Sequence, residues 1–203
     1  MLKPSLEEVK ALAKQYNTIP VFYEFSADNQ TPLNIYTAFS GMSRNSFIFE
    51  SVSNGVQWDR YSFIGFAPKQ EIRISGKQAE IRTEKGTQTL AVEQPIAFLK
   101  EQMAAFHAPV IPGAPNFTGG LIGYFGYDTV RYMEKKLTNI PEDDIHMPDC
   151  HLFLYEELIA YDHLTSNGIV ILNLHTDGDL GAQYAAAQSV SYTHLTLPTI
   201  LLV

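Results

Sequence analysis

The stretch FIFESVSNGVQWDRYSFIGFAP, residues 47–68, sets a carboxylate and a hydroxyl, Glu50 and Ser51, at the end of an apolar strand. Asp59 and Arg60 follow, beside Trp58, the only tryptophan of the chain. Two chemistries fit these residues. In the first, Ser51 begins a turn and Glu50 forms a surface ion pair with Arg60 or Arg44, an interaction of little consequence. In the second they form a small-ligand site. A carboxylate at an apolar strand end takes an ammonium, a hydroxyl takes a carboxylate, and apolar neighbours strengthen both contacts by excluding water. An amino acid carries both groups. The residues alone leave both readings open.

Other chemistry is sparse. His146 and His151 flank Asp149 and Cys150, but the spacing matches no zinc site. There is no G-x-S-x-G elbow and no H-E-x-x-H helix. Glu142, Asp143 and Asp144 read as a solvated loop, and Glu156 and Glu157 point to opposite faces of a strand. In TGGLIGYFGYD, residues 118–128, glycine recurs at 120, 123 and 126. The close glycine pair of a dinucleotide loop is missing, and so is the Lys-Ser/Thr of a P-loop. The favoured reading is a strand that another backbone approaches closely. No catalytic residue and no metal site is expected in this chain.

The elements that position these residues are mostly strands in hairpins. Ser5 and Glu8 predict a capping box for a helix whose Leu6, Val9, Leu12, Ala13 and Tyr16 share a face. IPVFYEF reads as a strand, and TPLNIYTAFSG as a short helix with Thr31 as cap and Pro32 at its first position. Ser46–Ser51 and Arg60–Ala67 read as strands around the turn SNG. EIRIS and AEIRTE form a hairpin about Gly76 and Lys77, and PIAFLKEQMAAF a helix with Ile96, Leu99, Met103 and Phe106 inward. HLFLYEELIAYDH and IVILNLH read as two long strands joined around Asn167-Gly168. This pattern is α+β and antiparallel-rich.

The chain has 203 residues, 45% hydrophobic and 18% charged, a globular composition. Its net charge of −8 argues against a nucleic-acid backbone or an anionic membrane as partner. One cysteine excludes an internal disulfide framework and suits a cytoplasmic protein. No signal peptide and no membrane span is read. Residues 1–188 are expected to be one domain. Residues 189–203, SVSYTHLTLPTILLV, end in an apolar run with nothing visible to bury it, and are read as a non-native tail.

Three ordered segments resemble the large subunit, component I, of anthranilate synthases. FIFESVSNGVQWDRYSFIG is similar to that family's "FLLESVEGGEKWGRYSFIG", GGLIGYFGYDTVRYME to its "GGxxGYxGYDxVRxxE", and IPVFYEFSADNQTPLNIYTAF to its start. The likeness runs from about residue 18 to about residue 180. It implies an antiparallel α/β/β/α sandwich, incomplete here, and a part in making anthranilate from chorismate for tryptophan biosynthesis. By resemblance, Glu50 and Ser51 fall on the feedback site that binds tryptophan, and Arg60 falls near its basic position. Asp59 replaces a usual glycine, and Phe49 a usual leucine.

The resemblance further implies Mg2+ and chorismate residues in a C-terminal region whose GSSPE motif does not occur here. It also implies a glutamine amidotransferase partner. This chain alone is therefore expected to bind no Mg2+ and to be inactive. Aminodeoxychorismate and isochorismate synthases share the resemblance. A free-standing amino-acid-binding module is the alternative from another class.

Overall fold

The structure is a computed structural model that describes residues 1–41, 43–50, 60–134, 136–139 and 142–200, with side chains up to Val190. The chain forms two compact units. The first comprises Met1–Pro68, His107–Gly119 and Glu156–Val203, and the second Lys69–Phe106 and Gly120–Tyr155.

The first unit holds a five-stranded sheet in the order β1-β10-β9-β3-β2, antiparallel throughout. Its strands are β1 (Thr18–Ser26), β2 (Ser46–Phe49), β3 (Tyr61–Phe66), β9 (Glu157–Asp162) and β10 (Asn167–His175). Three helices belong to this unit: α1 (Leu6–Leu12), α2 (Pro32–Ser40) and α4 (Leu180–Ile200). The expected capping box of α1 is present, and α2 has Thr31 as its cap and Pro32 in its first turn. Val9, Ile35, Phe39, Tyr184 and Ala187 from these helices join Ile19, Ile64, Ile159 and Val170 of the sheet in one core. Phe39 stacks on Phe66 with ring centres 4.7 Å apart. Burying each such side chain contributes about 1.5–3 kcal/mol.

The second unit holds a sheet in the order β6-β5-β4-β8-β7, also antiparallel. Its strands are β4 (Gln70–Ser75), β5 (Gln78–Thr83), β6 (Gly86–Ala91), β7 (Gly120–Phe125) and β8 (Cys150–Tyr155). Helix α3 (Pro95–Ala104) places Leu99 against Ile72, Ile74, Ala79 and Leu152. Alternation is clean along β4: Ile72 and Ile74 are buried, while Glu71 and Arg73 point to the other face.

The α+β, antiparallel-rich expectation is what the chain adopts. Three details differ from the sequence reading. HLFLYEELIAYDH is not one strand: β8 joins one sheet and β9 the other, and the chain changes sheets at Glu156. The β9–β10 turn lies earlier than Asn167-Gly168, with Ser166 at φ 54° and both Asn167 and Gly168 inside β10. Gly168 is required for another reason, since an added Cβ would come within 2.1 Å of the Phe25 ring. The polar strand β6 carries no apolar alternation to announce it. Helix α4 runs without a break across position 189. The turn SNG lies outside the described residues. Among the described residues, no helix is long and apolar enough to cross a membrane.

Candidate functional site

Strands β2 and β3 pair with Phe49 opposite Phe63, so Glu50 and Arg60 come to the same end of this pair. Glu50 is exposed, directly past the half-exposed ring of Phe49. Ser51 lies outside the described residues, as do Trp58 and Asp59.

Arg60 has a well-defined partner. Its Nε and Nη2 donate to Asp162 Oδ1 and Oδ2 at 3.0 and 2.7 Å. Asp162, the last residue of β9, stands opposite Tyr61 in register and is 3% exposed. Its Oδ1 also accepts the Leu164 N–H at 3.0 Å. Burial alone would raise the pKa of this carboxyl, but the Arg60 fork, the Leu164 N–H and Thr165 hold it below the usual carboxylate range. The guanidinium carbon lies 4.9 Å from the Tyr61 ring centre, a cation–π arrangement. The backbone closes the same corner, with His163 N–H donating to the Arg60 carbonyl at 2.9 Å. Fully buried Ser62 meets His163 Nε2 at 2.8 Å.

The surface ion pair weighed for Arg60 is therefore made with Asp162, not with Glu50. Sequence reasoning missed Asp162 because 102 residues separate it from Arg60. The signal was present all the same: ELIAYD puts an acid at the end of an apolar strand, as FIFE does.

The glycine motif builds architecture. A Cβ on Gly123 would lie 2.0 Å from the His151 carbonyl oxygen, which confirms close backbone approach. A 3-10 turn, Tyr127–Tyr132, follows β7. It is tied down by Gly126 N–H to the Asp149 carbonyl at 2.7 Å and by Thr129 Oγ1 to the Gly126 carbonyl at 2.7 Å. The Tyr132 hydroxyl bonds the Asp149 carboxylate, which also accepts the Gly76 N–H at 2.7 Å. Burial and that carboxylate push the Tyr132 phenol far up.

Between α3 and this motif lies an open groove of about 460 Å³, formed in part by Ile96, Leu99 and Met103 of α3 with Phe125 and Met133. Among the described residues, Lys100 is its one charged lining residue. The described lining, apolar walls with one cation, offers binding area and, among the described residues, no acid–base pair.

Among the described residues, the histidines do not converge. His146 meets Asp143 at 3.5 Å on the surface. His151 Nε2 lies 2.7 Å from Glu71 Oε1, at which distance the ring nitrogen donates. Arg73 approaches the same carboxylate at 2.6 Å and Arg82 at 3.5 Å. Burial works against ionisation of Glu71, yet His151 and the two guanidiniums hold its pKa below the usual range. Burial pushes the Cys150 thiol up to about 11. Among the described residues, no group of three or more His, Cys, Asp or Glu side chains converges to hold a metal ion. The carboxylates described here therefore do not fit a Mg2+ site.

Comparison with known proteins gives these residues a family. The profile of the chorismate binding enzymes matches residues 52–198. Anthranilate synthase component 1 of Acetivibrio thermocellus is 40% identical over 187 residues, covering 92% of this chain and 37% of that protein. The component 1 of Pseudomonas aeruginosa is 39% identical over 160 residues, covering 78% of this chain and 32% of that protein. The chain thus spans about a third of the length of these relatives. The crystal structure of anthranilate synthase component I from Streptococcus pneumoniae TIGR4 shares the fold, with a TM-score of 0.51 and 24% identity over 82% of this chain and 35% of that one. The profile match extends over most of the sequence, and the fold agrees with it: this chain belongs to the chorismate binding enzyme family.

Proposed function

We propose that this chain is the N-terminal part of an anthranilate synthase large subunit, a lyase of tryptophan biosynthesis, and that it carries one wall of the tryptophan feedback site. The observation that carries this reading is the similarity to component 1 proteins over nearly the whole chain, at 40% identity to that of Acetivibrio thermocellus. In this reading Glu50 takes the ammonium of tryptophan, while Ser51 and Arg60 take its carboxylate. Exposed Glu50 lies beside apolar Phe49, so a ligand seated there desolvates the pair and strengthens the contact. Chorismate and Mg2+ are handled by residues outside these 203, ammonia is supplied by a glutamine amidotransferase subunit, and the protein works in the cytoplasm. Residues 189–203 are a non-native extension of the domain.

Two measurements test this. The chain alone, supplied with chorismate, magnesium and ammonium, is expected to give no anthranilate fluorescence above blank; turnover would refute the division of labour. In the full-length subunit, Ser51→Ala and Glu50→Gln are expected to raise the tryptophan concentration needed for inhibition. A lost hydrogen bond to a charged group costs about 1.5–3 kcal/mol, roughly tenfold to a hundredfold in affinity. Unchanged inhibition curves for both would return Glu50 and Ser51 to ordinary strand-end residues.

A further inference from the structure

We propose that Asp162 is a positioning residue of the effector site, holding Arg60 in the orientation that meets the carboxylate of the bound amino acid; this rests on the feedback-site reading above. The asymmetry of the pair shows which partner fixes the other. The Asp162 side chain is 4% exposed and that of Arg60 45%. The buried carboxylate is immobilised by the strand register opposite Tyr61 and by the Leu164 N–H, so it acts as the anchor.

The contact is made at two points, through Nε and Nη2. A two-point contact fixes the plane of the guanidinium, which a single hydrogen bond does not. The Tyr61 ring supports it further. Asp162 occupies the Nε–Nη2 edge, so the Nη1 donors point away from it. A fixed guanidinium loses less rotamer entropy when it meets a ligand, and preorganisation of this kind appears as affinity.

The test uses the full-length subunit, following anthranilate formation across a tryptophan titration, with each protein normalised to its own uninhibited rate. Asp162→Asn keeps the shape and the acceptor for Leu164 but loses the charge. It is expected to raise the half-inhibitory tryptophan concentration by about tenfold. Arg60→Gln is expected to raise it at least as much, and the double variant no further than Arg60→Gln alone, because Asp162 acts only through Arg60.

An Asp162→Asn curve superimposed on the parent's, or effects of the two substitutions that simply add, would overturn the proposal. Arg60→Lys covers the case in which Asp162→Asn does not fold. It removes the fork from the exposed side and leaves the buried acid in place, so a shift supports the positioning role and an unchanged curve overturns it. A parent that tryptophan does not inhibit would sink the feedback reading and this proposal together. An inhibited parent with an unshifted Asp162→Asn curve sinks the positioning role alone.

Discussion

The two sheets of this chain have the same strand count and the same antiparallel pairing, yet they use glycine and carboxylate differently. In the sheet of β1, β2, β3, β9 and β10, Gly168 and Gly65 make room for side chains, the rings of Phe25 and Phe47. In the other sheet, Gly123 makes room for backbone. A ring can rotate aside, whereas a paired strand can move only by breaking its ladder. The shielded acids divide in the same way. Asp162 meets one guanidinium at two points, a directional contact, whereas Glu71 is shared by Arg73, Arg82 and His151. The first arrangement sets an orientation. The second neutralises a charge and ties three strands together.

The glycines give the sharpest test. Gly123→Ala drives a methyl group into the His151 carbonyl, so β7 and β8 must shift apart. The expected cost is at or above the roughly 1–3 kcal/mol of ordinary overpacking. Gly168→Ala meets only the Phe25 ring and is expected to cost less, under about 1 kcal/mol if the ring swings out. Thermal melts of the two variants side by side decide this. Equal losses would erase the distinction between ring and backbone.

A smaller effect separates the carboxylates. The pKa of Glu71 is depressed in the fold, so its stabilising contribution is fully present above the unfolded-state value of about 4.3 and is lost as pH falls through the lower folded value. Glu71→Gln is expected to melt lower than the parent at neutral pH and to lose less on acidification from about pH 5 to pH 3. Parallel acid limbs in parent and variant would show that the shared carboxylate adds no pH-dependent stability.

The smallest effect is expected at the C-terminal end. Among the described side chains of α4, those up to Val190, Tyr184 and Ala187 are buried and Val190 is packed partly buried against the same core. Truncation after Val190 should lower the helical circular-dichroism signal slightly and leave the melting temperature unchanged. A drop of several degrees would show that the last turns of α4 are structural.

Much of the fold was legible because its signals are local. Ser5 with Glu8 and Thr31 with Pro32 announce α1 and α2 within a few residues. The close approach at Gly123 could be read from glycine spacing alone. What escaped reading depends on distant partners. Apolar alternation continues from β8 into β9, so nothing local marks the change of sheet at Glu156. Gly168 looked like a turn residue because the ring that demands it belongs to Phe25, 143 residues earlier in the chain. The site was half legible: Glu50 and Arg60 stood out beside an apolar run, but the anchor of Arg60 lies on another strand.

The interleaving of the two units also has a consequence in time. Among the described strands, β1 pairs with β10 alone, with Thr18 opposite His175, apart from a single bridge between Phe22 and Lys3. At a synthesis rate of about 5–20 residues per second, β1 leaves the ribosome roughly 8–30 s before its partner does. The meander β4-β5-β6, with α3 directly behind it in sequence, has most of its partners within a few dozen residues. Local pairing closes short loops at low entropic cost and forms early. Nascent chains of this protein are therefore expected to acquire protease resistance first between residues 69 and 106, while the apolar strand β1 waits for its partner strand and is most in need of a chaperone.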